Sequence, residues 1–357
     1  MSKKVSRYIK ENTWIWAAVG AFLLWFIMGI SSGRLNLESF LSNAYIASFL
    51  AILSFGQMLV VTSGRGAIDL SIPGVLTLMA FVSMSIINGE NKNVPLAIFV
   101  IVALGALIGV LNGLMVIYLQ IPAIIATMAM NYILTTAALL INKNFSIFAI
   151  APVLDDLIKT RIFGVQLMIY LVILLAVLFW FLLRRTSYGK SLLAIGQNRE
   201  AAKLAGIKVN RVEILTYALS SVLAAISGML ISARVGSAIL GMGDDYSLET
   251  VASIVVGGTL ISGGKANVPG TLAGCLFLGL IVTAMQIMGF SVGAQNIAKG
   301  ALIIIVLLLG TGQGKAERSV RFKKKISIKG GFERMTLIYM PIWGRMLFLM
   351  RNKQRKS

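Results

Sequence analysis

Ten runs of mostly apolar residues limit what this chain can fold into. They cover 14–30, 44–62, 72–88, 94–119, 121–142, 165–183, 214–233, 248–262, 267–289 and 292–310. A helix that crosses a bilayer needs about 20 apolar residues, and ~17 at minimum. The runs therefore predict an all-α polytopic membrane protein of about ten transmembrane helices. The eighth run is short and glycine-rich. The fourth and fifth are separated only around Gln120, Ile121 and Pro122, where the proline disfavours helix at the residue before it. Composition excludes the alternatives. Of the 357 residues, 57% are hydrophobic and 13% charged, against about 25% charged in a soluble domain. Neither a water-soluble enzyme nor a disordered chain fits.

The formal charge of +20 comes from 33 Lys and Arg against 13 Asp and Glu. Its placement argues for topology rather than for a nucleic-acid partner. With the N-terminus cytoplasmic, 26 of the 33 fall in 1–13, 63–71, 184–213, 263–266 and 311–357. Only six (Arg34, Lys92, Lys143, Lys159, Arg161 and Arg234) fall in the outer loops, and Lys299 lies within the last run. Positive residues collect on the cytoplasmic side, so both termini are placed inside. The chain then divides into a cytoplasmic N-terminus (1–13), a transmembrane body (14–312) with a long cytoplasmic loop (184–213), and a basic C-terminal tail (313–357). The first apolar run exceeds a signal-peptide h-region, and no A-x-A site follows it. It reads as a retained helix.

Several reaction classes are excluded. There is no His and one Cys, Cys275, so imidazole chemistry, an intrachain disulfide and Cys-rich metal sites are absent. A P-loop requires G-x-x-x-x-G-K-[ST]. Gly189-Lys190-Ser191 has Arg184 where the first glycine belongs, and Lys315 is followed by alanine. No paired-carboxylate or nucleophile-elbow pattern is present. The chain reads as a conduit for a neutral, polar solute, with no metal, no cofactor and no ATPase of its own.

Residues 56–74, GQMLVVTSGRGAIDLSIPG, interrupt an apolar helix with glycines, Arg65 and Asp69, then restart it at Ser71-Ile72-Pro73, a good helix start. In a bilayer such a break is tolerated only beside protein or a water-filled cavity. The segment is either a gate or path-lining element or an ordinary connector. Asp245-Tyr246-Ser247-Leu248 repeats the pattern Asp69-Leu70-Ser71-Ile72, five helices later. The odd offset is what an inverted-topology repeat gives, and such repeats place the path between halves. Gly105, Gly109 and Gly113 share one helix face, as do Gly270 and Gly274, which predicts close helix packing. Gln57, Asn112, Asn131, Gln286, Gln295, Asn296 and Lys299 lie in or near spans and need partners. Candidates for the path or its gate are Gln57, Asp69, Ser71, Asn112, Asn131 and Asn296.

The cytoplasmic loop RRTSYGKSLLAIGQNREAAKLAGIKVNRVE carries aliphatic residues among seven basic ones. Residues 199–205 predict a short helix closed by Gly206. A partly apolar helix exposed to cytosol calls for a partner surface or the membrane interface.

At this loop the sequence resembles a known family. Glu200-Ala201-Ala202-x3-Gly206 is similar to the EAA loop of permease subunits of ATP-binding-cassette importers. Tyr188-Gly189-Lys190, Ala194-Ile195-Gly196-Gln197-Asn198 and Ala205-Gly206-Ile207 resemble the ribose-type sugar permeases, within the superfamily of branched-chain amino-acid and sugar permeases. Gly66-Ala67-Ile68-Asp69-Leu70-Ser71 resembles that group's G-G-I-D-L-S segment. Leu111-Asn112-Gly113, Ile121-Pro122-Ala123-Ile124-Ile125-Ala126-Thr127, Val256-Gly257-Gly258 and Gln295-Asn296-Ile297-x-Lys299-Gly300 follow in order.

The resemblance implies a multi-pass permease of the inner (cytoplasmic) membrane that imports a small neutral solute, a monosaccharide such as ribose, by alternating access. A stand-alone carrier or channel is the alternative. The implied partners are a cytoplasmic ATPase that carries the ATP and Mg, an extracytoplasmic solute-binding protein, a second permease subunit (the same or a related chain) and membrane lipid. Gly196, Glu200, Ala201, Ala202 and Gly206 would couple to the ATPase. Two features depart from the pattern: Arg65 stands where a small residue is usual, and about 45 residues follow Gly312. That tail carries 13 basic residues and an apolar stretch at 335–350, which suits a segment lying on an anionic leaflet, a disordered tail or an altered reading frame.

Overall fold

The computed structural model describes residues 14–31, 36–143, 150–291, 293–301 and 304. The N-terminus 1–13, most of the tenth apolar run beyond 301, and the tail 313–357 lie outside the described residues.

The described chain is a helical bundle. Its elements are α1 (Trp14–Ser31), α2 (Leu37–Thr62), α3 (Ile72–Ile87), α4 (Val94–Ile117), α5 (Ala123–Asn142), α6 (Pro152–Lys159), α7 (Leu167–Arg185), α8 (Ser187–Gln197), α9 (Arg199–Leu204), α10 (Val209–Val235), α11 (Tyr246–Val256) and α12 (Val268–Ile287). Residues 293–301 are also helical. A two-residue hairpin, β1 (Arg161–Ile162) with β2 (Val165–Gln166), precedes α7. Six helices are long and apolar enough to cross a membrane: α2, α4 with the short turn before it, α5, α7, α10 and α12. Three more, α1, α3 and α11, are apolar but shorter. This is a polytopic helical membrane protein.

The centre is built from α2, α3 and α10. The most apolar stretch of α2 is 83% buried and that of α10 is 72% buried, against 28% for α5 and α7. The outer helices turn Ile125, Ile133, Leu174, Val177 and Phe181 outward, as lipid-facing surfaces require. Small residues set the central spacing. Gly105, Gly109 and Gly113 lie in a row against Val222 and Ala225, Tyr217 and Ala218, and Ile214 of α10. Without a hydrophobic drive between helices in lipid, such backbone contact supplies the packing. Gly270 and Gly274 of α12 meet Gly257 and Ser253 in the same way.

Two elements differ from the sequence expectation. The eighth apolar run extends to 262, but α11 stops at Val256. Gly258 (φ 87°) turns the chain, and the Leu260 N–H bonds the Lys265 carbonyl. Glu213, assigned to the cytoplasmic loop, lies inside α10 and is 5% exposed, because α10 begins at Val209.

Candidate functional site

The break between α2 and α3 is non-helical. Arg65 and Gly66 are exposed, but Asp69 and Ser71 are both 0% exposed, so the second half of the segment is no surface connector. Lipid cannot satisfy its backbone groups, and an unpaired one is costly. Side chains of α2 and α5 take up three N–H groups at the break and the start of α3, and α4 bonds the Ser71 hydroxyl. Gln57 Oε1 on α2 accepts from the Asp69 N–H at 3.2 Å. Thr127 Oγ1 on α5 accepts from the Leu70 N–H at 3.0 Å. Asn131 Oδ1, one turn further along α5, accepts from the Gly74 N–H at 2.7 Å. Asn112 Nδ2 on α4 donates to Ser71 Oγ at 2.8 Å.

Asp69 ties the cluster together. Its Oδ1 accepts from the Ser71 backbone N–H at 3.0 Å and from Ser71 Oγ at 2.6 Å. Its Oδ2 accepts from Ser220 Oγ on α10 at 2.8 Å. Ser71 is the N-cap residue of α3, but its hydroxyl makes no cap bond, because Asp69 holds it. Gln57 Nε2 and Asn112 Oδ1 are buried and have no hydrogen-bond partner among the described residues. They leave one spare donor and one spare acceptor beside the cluster.

Five of the six path candidates, Gln57, Asp69, Ser71, Asn112 and Asn131, therefore meet around one segment. Asn296 does not; it is exposed on the helical stretch 293–301. Thr127 and Ser220 belong to the cluster although the sequence reading gave them no part in the path. Ser220 lies one turn from Thr216 and two from Ser227 on α10, and all three are buried. That polar stripe was the available signal.

A second segment, 236–245, enters between α10 and α11. Its backbone closes on itself: Met242 N–H to Ile239 O, Asp244 N–H to Gly241 O and Tyr246 N–H to Gly243 O. Gly243 packs so closely on Pro73 that a Cβ there would collide with the Pro73 carbonyl. The starts of α3 and α11 thus touch. Lys299 reaches Glu249, in the first turn of α11, at 2.8 Å and Asp245 at 3.4 Å. Lys299 and Glu249 are mostly buried, with side chains 17% and 15% exposed.

The long loop forms α8 and α9. Asn198 caps α9 by accepting from the Ala201 N–H at 3.1 Å. Gly206 (φ 80°) ends it, its N–H bonded to the Lys203 carbonyl at 2.9 Å. Ile195, Ala202 and Val209 form a small core of their own, so part of the loop's apolar content is used internally. Glu200, Ala201, Ala205 and Gly206 face outward, and Leu204 is 91% exposed. Ala202 and Gly196 face the body of the protein.

Gly196 packs backbone against backbone. A Cβ there would collide with the Thr62 carbonyl and the Gly264 nitrogen, and Gly263 lies against Gly64. The Gly264 N–H bonds the Thr62 carbonyl at 2.9 Å. The end of α8, the end of α2 and the 260–266 turn thus form one backbone junction, five residues before Asp69.

Arg199 fixes α9 to α10 through Glu213 at 2.6 Å and Asn210 at 3.3 Å. Tyr188 bonds Thr216 at 2.9 Å. Thr216 already donates to the Val212 carbonyl, so the phenol is the donor. Burial pushes the Tyr188 phenol up to about 12, which keeps that proton in place. A cavity of about 450 Å³ lies between α9, Arg65 and Gln120–Ala123, with Glu213 and Tyr217 on its walls.

Residues 39–310 match the profile of the family described as branched-chain amino acid transport system / permease component. The chain is 33% identical to the ribose import permease protein of Escherichia coli (strain K12) over 264 residues, 72% of this chain and 81% of the relative. It is 32% identical to the ribose import permease protein of Bacillus subtilis (strain 168) over 300 residues, 82% and 92% of the two chains. It is 30% identical to the galactose/methyl galactoside import permease protein of Escherichia coli (strain K12) over 298 residues, 77% and 86%. No solved structure matches the chain significantly.

Proposed function

This chain belongs to the branched-chain amino acid transport system / permease component family, and from that premise we propose that it is the membrane-spanning subunit of an ATP-driven importer of a monosaccharide, with ribose as the leading cargo. The similarity to ribose and galactose import permeases over most of the chain supports the cargo class. In this reading the chain crosses the inner membrane ten times with both ends cytoplasmic. It works as a pair with a second permease subunit. A solute-binding protein delivers sugar outside, and a separate ATPase holds ATP and Mg inside.

The observation that carries the coupling mechanism is the glycine junction joining α8 to the end of α2 and the 260–266 turn. α9, with its exposed Glu200, Ala201 and Leu204, is the surface the ATPase grips. Closure of the ATPase displaces α8 and α9. The junction has no side chains to absorb that displacement, so it passes to the break at 63–71. The Asp69 cluster then rearranges and the path switches, since packed elements of this kind have discrete states. Spare polar atoms on Gln57 and Asn112 become available to sugar hydroxyls. The starts of α3 and α11 belong to inverted halves that meet near the membrane centre, where such transporters bind cargo.

Vesicles reconstituted with the chain, its ATPase and its binding protein should accumulate radiolabelled ribose only with ATP, and the chain alone should be inert. Accumulation without the ATPase would establish a stand-alone carrier instead.

A further inference from the structure

A second cavity, about 420 Å³, lies at the same end as the loop, between the first turn of α1, the last turns of α7, α8 and the turn into α12. It is lined by Trp14, Trp180, Arg184, Leu193, Lys265 and Val268, among others. It borders the 260–266 turn, but the transport reading assigns the cavity itself no ligand. We propose that this cavity holds the phosphate headgroup of an anionic phospholipid.

Three observations carry this. Among the described residues the lining contains two cations and no carboxylate, and neither Arg184 nor Lys265 has a carboxylate partner. Two cations facing one space without a counter-charge repel each other unless an anion joins them. Arg184 is also set in place, its guanidinium 5.4 Å from the centre of the Trp180 ring, which leaves its donor edges free for phosphate oxygens. Beside Asn267, the remaining lining includes an apolar wall of Leu183, Leu193, Val268, Pro269 and two indoles. Tryptophans collect at the level of lipid headgroups, and here both stand at helix ends on one face.

The walls decide between two sources of phosphate. A free phosphate is hydrated on all sides and gains nothing from leucine and indole. A phospholipid places phosphate on the cations and its glycerol and acyl carbons on the apolar wall. Basic pockets between membrane helices on the cytoplasmic side suit such headgroups. The proposal does not depend on the cargo, so loss of sugar uptake would leave it standing.

The test uses the full chain in phosphatidylcholine nanodiscs doped with phosphatidylglycerol, with retained lipid counted by native mass spectrometry. Phosphatidylglycerol should remain bound and phosphatidylcholine should not. The double variant Arg184→Gln/Lys265→Gln should weaken retention about tenfold. Arg185→Gln, the neighbouring cation outside the cavity, should leave it unchanged. Equal retention by the double variant overturns the proposal. Competition by millimolar inorganic phosphate overturns the lipid assignment in favour of a free anion. If the double variant does not fold, a photoreactive phosphatidylglycerol on the unaltered protein replaces it. Labelling at 180–184 and 264–269 supports the site, and labelling elsewhere defeats it.

Discussion

The segments 63–71 and 236–245 share a four-residue pattern, precede helices of similar character and touch at Pro73 and Gly243. They are held in opposite ways. The first has backbone N–H groups bonded by side chains of α2 and α5 and its own side chains bonded by α4 and α10, and its carboxylate is fully buried. The second bonds its own backbone in successive turns, and its Asp245 side chain is 68% exposed. A pattern of Asp, Ser and an aliphatic residue therefore marks where a helix restarts. It does not say whether that restart is fixed by its neighbours. The difference suggests a division of labour: the first segment answers to the body and the loop junction, and the second is freer to open at low cost.

The largest effect should come from Asp69→Ala. It strands the Ser71 N–H, the Ser71 hydroxyl and the Ser220 hydroxyl in a buried site. An orphaned buried donor costs about 1–3 kcal/mol, so the three together are expected to cost at least about 3 kcal/mol, read as thermal stability in detergent. Next is Gly196→Ala. Its Cβ enters occupied space, and overpacking costs about 1–3 kcal/mol. Uptake should fall while ATPase binding survives. Gly206→Ala gives the contrast: nothing lies within 4 Å of its Cβ, so only left-handed strain of about 1–2 kcal/mol remains. Equal loss of uptake in the two variants would remove the junction from the coupling route.

Local features of this fold were legible in the sequence because local rules set them. The start of α3 has Pro73 in its first turn, the glycine row faces α10, and α9 ends at Gly206. The cluster was half legible. Polar residues at membrane depth had to find partners, but which partner depends on which helices are neighbours. Asp69 meets a serine 151 residues away, and no spacing rule reaches that far. Asn296 shared the amide chemistry of Asn112 and Asn131, yet its face of the helix is exposed. Glu213 shows a simpler effect: α10 starts before the apolar run does, so a charged residue of its first turns reads as loop.

Ser220→Ala sharpens the comparison at intermediate size. Asp69 loses one of three hydrogen bonds and keeps the two from Ser71, so a cost of about 1–2 kcal/mol is expected. Within the second segment no hydroxyl plays this part for Asp245.

The smallest effect should come from Asp245→Asn. The carboxylate is mostly exposed, and its contact with Lys299 is long at 3.4 Å. Exposed ion pairs contribute about 0.2–1 kcal/mol. Lys299 also keeps its shorter bond to Glu249 at 2.8 Å, so no buried charge is left alone. A change below about 0.5 kcal/mol is expected, within the range of ordinary surface substitutions. Hydrogen exchange gives the matching kinetic reading, with the amides of 239–246 opening sooner than those of 68–74. If Asp245→Asn instead costs as much as Asp69→Ala, or if the two sets of amides exchange together, the segments are one cooperative unit. The second could not then move while the first stays fixed.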